Sequence, residues 1–369
     1  MKGALFFHHL QKGGFGLLFA LALCISACQP KSEKDQTNAS SGNVLSNWLG
    51  SKEKDCPDID VSKSRVEVKI QRLEDELMGL KSREDAQAFL AKYPSLAKNF
   101  FAVGQYPQRE ILETNLSKLA QDTAIGSIYA QTKATYTSVA ELEQQFSEAF
   151  SHIKHYYPAF KVPKVYTIIT GLAIETFVSD SMIVLSLDYF LGEKAKYKPR
   201  DPSGMLFPDY ILRRYQREYI VPACLLYISN KYNKVDMLEN TLLAEMVYYG
   251  KAYQFVKTMA PCTEDSLIIG YTEQQIQDAD AHEGMIWSFF IDRKLMYETS
   301  HFIKTKYTGE RPYTAEIGPK CPGKIGTWLG WRIIQAYQAN NPAVTFPVLM
   351  DTKSAKTIFL DSKYKPKKK

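Results

Sequence analysis

Histidine and cysteine are both sparse in this chain, with six of each among 369 residues. Beyond residue 27 only His152, His155, His282 and His301 remain. That scarcity excludes the familiar helical zinc site, in which two histidines four apart bind the metal and the glutamate between them activates water. "HIKH" places His152 and His155 one turn apart on an amphipathic helix, a spacing read here as a helix surface. His282-Glu283 opens a second apparent HExxH, but Ile286 occupies the second histidine position. Cysteines in CxxC or Cys/His zinc spacing are missing, as are GxSxG elbows, P-loops, GxGxxG fingerprints and internal repeats. Charge of one sign is also lacking. The formal charge of +6 becomes +4 without Lys2 and Lys12, and five lysines of the surplus side sit in the tail "KYKPKKK". A nucleic-acid partner is therefore set aside.

Long hydrophobic runs are absent except one. "FGLLFALALCI" (Phe15–Ile25) follows a basic start and is too short to cross a bilayer, so residues 1–27 read as a signal peptide. Its end, "ISAC", resembles the lipobox of bacterial lipoproteins, which makes Cys28 the site of lipid attachment (palmitate among the chains) and the membrane a partner. Residues 28–55 are polar and apolar-poor, as expected of a flexible tether. Residues 56–369 read as one domain: a helical part over 56–160, a sheet with C-terminal helices over 161–361, and a basic tail over 362–369.

An exported chain permits disulfides, and Cys56, Cys224, Cys262 and Cys321 allow three pairings. Cys224 lies in the apolar "IVPACLLYI" and reads equally well as a buried thiol. Cys262 and Cys321 both fall in loops beside long helices and form the preferred pair, closing a loop of about 60 residues.

Apolar residues at three- and four-residue spacing predict helices from Val66 to Tyr157. "KVYTIITG" and "SMIVLSLDYFLG" switch to β-branched runs and predict a small sheet with a hairpin. Helices return over Pro208–Tyr232, Leu238–Met259, Glu273 to about Tyr307, and Pro322–Asn340. The fold class is α+β, mostly helical.

Within "LLAEMVYYGKAYQF" Glu245 stands where the catalytic glutamate of an HExxH helix would, with Ala244 and Tyr248 in the histidine places. Leu242, Met246, Tyr249, Tyr253 and Val256 mark the core face. Glu245 and Tyr248 then border a degenerate pocket, near Glu283 on the next helix. "EIGPKCPGKIGTWLGWRIIQAYQANN" adds glycines at 318, 323, 326 and 330, which allow close backbone approach. The indoles of Trp328 and Trp331 either line that pocket or pack in the core.

Those two stretches, with "DSLIIGYTEQQ", "HEGMIWSFFIDRKLMYET" and the terminal "SKYKPKKK", resemble the gliding-motility-associated lipoprotein family GldB of Bacteroidetes over most of the chain. The resemblance implies an envelope lipoprotein that supports surface gliding and the type IX secretion machinery together with other envelope proteins; Gln29 after Cys28, in place of Asp, favours the outer membrane, facing the periplasm, by analogy with enterobacterial sorting. It also implies a zincin-like layout, with a small sheet beside the Glu245 helix as in a degenerate metallopeptidase. No catalytic residue, metal or cofactor carries over. The expected function is non-enzymatic; the alternative is a membrane-anchored hydrolase acting on peptide or cell wall through an unrecognised metal site.

Overall fold

The computed structural model describes residues 59–366. The signal segment, Cys28, the tether and Cys56 lie outside the described residues, as does the end of the lysine tail.

The stretch from Val66 to Ile70 departs from the expected helix. Val66, Val68 and Ile70 are buried while Glu67 and Lys69 are exposed, an alternation with the period of a strand. The stretch leads into β1 (Ile70–Arg72), and six helices follow. These are α1 (Glu74–Met78), α2 (Arg83–Lys92), α3 (Pro94–Asn99), α4 (Arg109–Gln121), α5 (Thr123–Thr135) and α6 (Ala140–Tyr156). Their starts are set locally. Ser82 and Asp85 form a reciprocal capping box on α2, and Asp122 accepts from the Ala124 and Ile125 amides to start α5. α6 then serves the extended stretch before and into β1. Ser151, Ser147 and Glu143, four apart along one face, accept the N–H groups of Val66, Val68 and Ile70 at 2.9 Å each, satisfying amides that no strand pairs.

The sheet is completed by β2 (Lys164–Ile168), β3 (Thr176–Val178) and β4 (Met182–Ser186). The order is β1-β2-β4-β3, with β1/β2 and β2/β4 parallel and β3 antiparallel at the edge. The two runs expected to form the hairpin, β2 and β4, pair parallel instead; the hairpin is β3–β4, and β3 lies in the segment that joins the two runs. Both faces of the sheet are covered, which is why β2 and β4 are apolar almost without alternation. Val165, Ile183 and Leu185 face the larger core; Tyr166, Ile168, Met182 and Val184 face a second one built by α1 to α4.

The remaining helices are α7 (Asp209–Leu212), α8 (Ile220–Ser229), α9 (Leu242–Met259), α10 (Asp265–Ile269), α11 (Glu273–Ala281), α12 (Glu283–Asp292), α13 (His301–Thr308), α14 (Ile325–Asn340), α15 (Phe346–Asp351) and α16 (Ala355–Ser362). The single helix expected from Glu273 is thus three. It breaks at His282, then at Lys294, whose φ of 52° is left-handed, and the loop that follows is held elsewhere. Glu298 accepts the Ser300 amide through its side chain and the Leu242 amide through its carbonyl, tying the break to the start of α9.

α9 is the central helix. Its principal neighbours are α14, α8, α16 and α6, so the expected packing of this helix beside the sheet is replaced by helix-on-helix packing. α8 touches both α9 and β3. α9 and α14 cross at glycine: a Cβ on Gly250 would stand 2.5 Å from the Gly330 carbonyl, and one on Gly330 would overlap the Met246 carbonyl. Among the described residues no helix is long and apolar enough to cross a membrane.

Candidate functional site

The helix carrying Glu245 starts cleanly because Thr241 accepts the Ala244 amide as its N-cap. One turn in, Glu245 meets a buried cation. Lys304 of α13, 3% exposed, places Nζ 2.8 Å from Glu245 Oε1, and the Thr308 hydroxyl donates to Oε2 at 2.9 Å. Lys304 also donates to Asn240. Both carboxylate oxygens are therefore engaged within the protein, and the pair locks α13 onto the start of α9.

The other expected pocket residues do not gather around it. Glu283 begins α12 and accepts from the Tyr364 hydroxyl at 2.7 Å, so its partner is the chain's end and not Glu245. Trp328 and Trp331 are both buried in the core of α14. Arg332 covers Trp328, 5.2 Å from the ring centre, while the Trp331 indole donates to Gln254 at 2.9 Å. The indoles pack in the core, Trp328 with its Nε1 buried and without a partner among the described residues. His152 is buried, where a helix surface was expected, with Nδ1 against the Glu148 carbonyl, whereas His155 rests on Tyr156; the two rings turn to different partners. Among the described residues no three His, Cys, Asp or Glu side chains are grouped to hold a metal ion.

Tyr248 alone of the expected pocket residues borders a real cleft. Its volume is about 520 Å³, inside the usual range for small-molecule sites. The cleft opens between the Glu175 end of β3 and the tyrosine face of α9, so the edge strand and the helix do face one another, across space. Tyr248, Tyr249, Ala252 and Tyr253 form the α9 wall, and Tyr215, Tyr219 and Tyr227 come from α8 and the turns before it. Tyr248 donates to Asn230 at 2.7 Å and Tyr253 to Thr327 at 3.3 Å. The hydroxyls of Tyr215, Tyr219, Tyr227 and Tyr249 make no hydrogen bond among the described residues. Burial raises the pKa of each of these tyrosines, which keeps them neutral.

Sequence reasoning missed the charged end of this cleft. Arg214 Nη1 and Lys324 Nζ both lie 2.9 Å from the same Glu310 oxygen. Arg214 Nε donates to the Gly270 carbonyl and Lys324 Nζ to the Ile269 carbonyl. Two left-handed residues shape the cluster. Gly270 (φ 77°) ends α10, and a Cβ there would stand 2.5 Å from Arg214 Nε; Lys324 (φ 59°) precedes α14. Burial pushes the Lys324 ammonium down to about 8, Arg214 and Arg213 push the same way, and Glu310 opposes them. Burial alone would raise the Glu310 carboxyl, but Lys324 and Arg214 hold it below its ordinary value. The glycine-rich stretch before Trp328 delivers Lys324 to this cleft.

The cysteines differ from expectation in one pairing. Cys321 is a free thiol and Cys262 is disulfide-bonded, so the Cys262–Cys321 bridge does not form. Cys321 sits in its own turn, with its carbonyl accepting the Thr314 amide and burial pushing its thiol up to about 12. Cys224 is the free buried thiol that its apolar run allowed.

The family model of the gliding motility protein GldB matches residues 54–366. The chain belongs to the GldB family. The match spans every described strand and helix, from the edge-strand sheet to the tyrosine cleft, and membership supports a role in gliding motility. No curated protein and no solved structure matches the chain.

Proposed function

We propose that the chain is a lipid-anchored envelope protein that supports gliding, and the type IX secretion machinery associated with it, by binding and not by catalysis. The family match over residues 54–366 carries this reading. Cys28 holds the lipid, on the outer membrane facing the periplasm. α9 stands in the place of a zincin active-site helix, across a cleft from an edge strand, with Ala244 and Tyr248 where ligands would be. An alanine has no donor atom, and a neutral phenol is a poor zinc ligand. The carboxylate that would activate a metal-bound water is instead engaged by Lys304 and Thr308.

The test is complementation of a deletion strain beside unfolding of the purified body. Glu245→Gln should lower stability by about 1–3 kcal/mol, because it leaves the buried Lys304 without its counter-charge. It should still restore gliding wherever the protein accumulates. In the same strains Cys28→Ala should shift the protein from membrane to soluble fractions. Stoichiometric zinc, with a hydrolytic activity lost in Glu245→Gln at unchanged stability, would replace this reading with the membrane-anchored hydrolase.

A further inference from the structure

The binding role proposed above leaves the ligand open; the charged end of the tyrosine cleft narrows its chemistry. Arg214 and Lys324 share one carboxylate, Glu310. Within the cluster two cations and one anion leave a surplus of one positive charge, on cations largely withdrawn from water, the side chains of Arg214 and Lys324 being 21% and 10% exposed; the cleft's other carboxylate, Glu175, bears on Tyr215 and Tyr227. Arg213, bordering the neighbouring cavity with its Nε buried and unpartnered, adds like charge and no relief. Of the Arg214 donors, Nε and Nη1 are used, and Nη2 donates to nothing among the described residues. A desolvated surplus charge with a free guanidinium edge is a receptor for an anion. Its size selects among anions. A single added carboxylate would neutralise the surplus, whereas a phosphate dianion would overshoot it and crowd the Glu310 oxygens. Beside the cluster the walls are aromatic rings, four of which carry hydroxyls with no partner among the described residues, suited to a flat or apolar body with a few polar atoms.

We propose that the cleft binds a carboxylate carried on an aromatic or apolar body, with the carboxylate on Arg214 and Lys324 and the body against Tyr219, Tyr249 and Tyr253. Because the assay is binding to purified protein, it stands or falls separately from the gliding role.

N-acetylphenylalanine and its C-terminal amide, titrated by calorimetry or NMR, share one body and differ at the terminal group, an anionic acceptor in the acid and a neutral amide in its partner. The acid should bind about tenfold or more tightly than the amide, the worth of one charge-assisted contact. Two variants should move the acid in opposite directions. Arg214→Gln should weaken it about tenfold, while Glu310→Gln removes the internal competitor and should tighten it severalfold, with the amide little changed by either. A merely structural cluster would weaken both ligands in both variants. Equal binding of acid and amide by the wild-type protein, weaker acid binding in Glu310→Gln, or inorganic phosphate competing at the acid's own concentration would each overturn the proposal. The first and last of these use unmodified protein, so a variant that fails to fold does not decide the matter.

Discussion

A buried carboxylate shows how much one residue's surroundings matter. Asp188, just past β4, is 1% exposed, and its oxygens accept the amides of Thr170 and Leu172, the latter at 2.8 Å. Gly171 and Leu172, with φ of 65° and 61°, are both left-handed, so this carboxylate holds together a turn that a leucine would not choose. Burial pushes its pKa up to about 6, outweighing the pull of the backbone amides. A carboxyl raised in the folded state contributes stability that is fully present below the unfolded pKa and is lost as pH rises through the folded one. The window is therefore between about 4 and 6. Asp188→Asn removes this titration while keeping one acceptor. Measured as the difference in unfolding free energy between wild type and variant, the wild type should gain about 2–3 kcal/mol on the variant between pH 7 and pH 4. A pH-independent difference would mean that Asp188 titrates normally.

Elements meet here through specific contacts that single residues permit. The α9–α14 crossing depends on Gly250 and Gly330, whose backbones touch where any Cβ would intrude. Gly330→Ala must separate two central helices whose other contacts include the buried Trp331 and Tyr253 rings, 5.6 Å apart. The expected cost is about 3 kcal/mol, read as a lower urea midpoint, and the same substitution at the open Gly126, where a Cβ meets nothing within 4 Å, should be nearly neutral or stabilising. Equal effects at the two sites would show that the helices slide apart freely. The extended stretch from Val66 to Ile70 carries a different lesson. Its period-two burial was written in the sequence, but helix-forming residues directly after it pulled the whole stretch into one helical reading. The Glu143, Ser147 and Ser151 ladder that fixes it lies more than seventy residues away, where no local pattern could announce it.

At the scale of the whole molecule, the sheet ties the chain's two halves together. β1 from the N-terminal half pairs with β2, and α1 to α4, which lie between them in the chain, cover one face of the sheet. The covalent cross-link is the feature that distance along the chain disguised. Cys262 and Cys321 both occupy loops beside long helices, yet a bridge also needs facing Cβ vectors at short range, and Cys321 stays a free, part-buried thiol. Mass mapping of unreduced peptides should find Cys262 in a disulfide with neither Cys224 nor Cys321, and both of those thiols should alkylate without reductant once the chain is unfolded. Recovery of a Cys262–Cys321 peptide would refute the arrangement.

Much was decided by sequence alone: the α+β class, the helical majority, the small sheet's two apolar strands, the central α9 helix and the family. Periodicity reports which residues face a core, and several separated motifs in one order identify kin, without three-dimensional information. The site was only half legible. Tyr248 was placed on a pocket because its helix was recognised, but Glu245 was matched to a neighbour one helix too early, and the indoles were buried. Arg214, Glu310 and Lys324 lie 96 and 14 residues apart along the chain and share no spacing that chemistry would recognise. Only the tertiary fold, by ending α10 at Gly270 and turning left-handed at Lys324, brings their charges to one carboxylate oxygen, because the cost of burying each is met by the others.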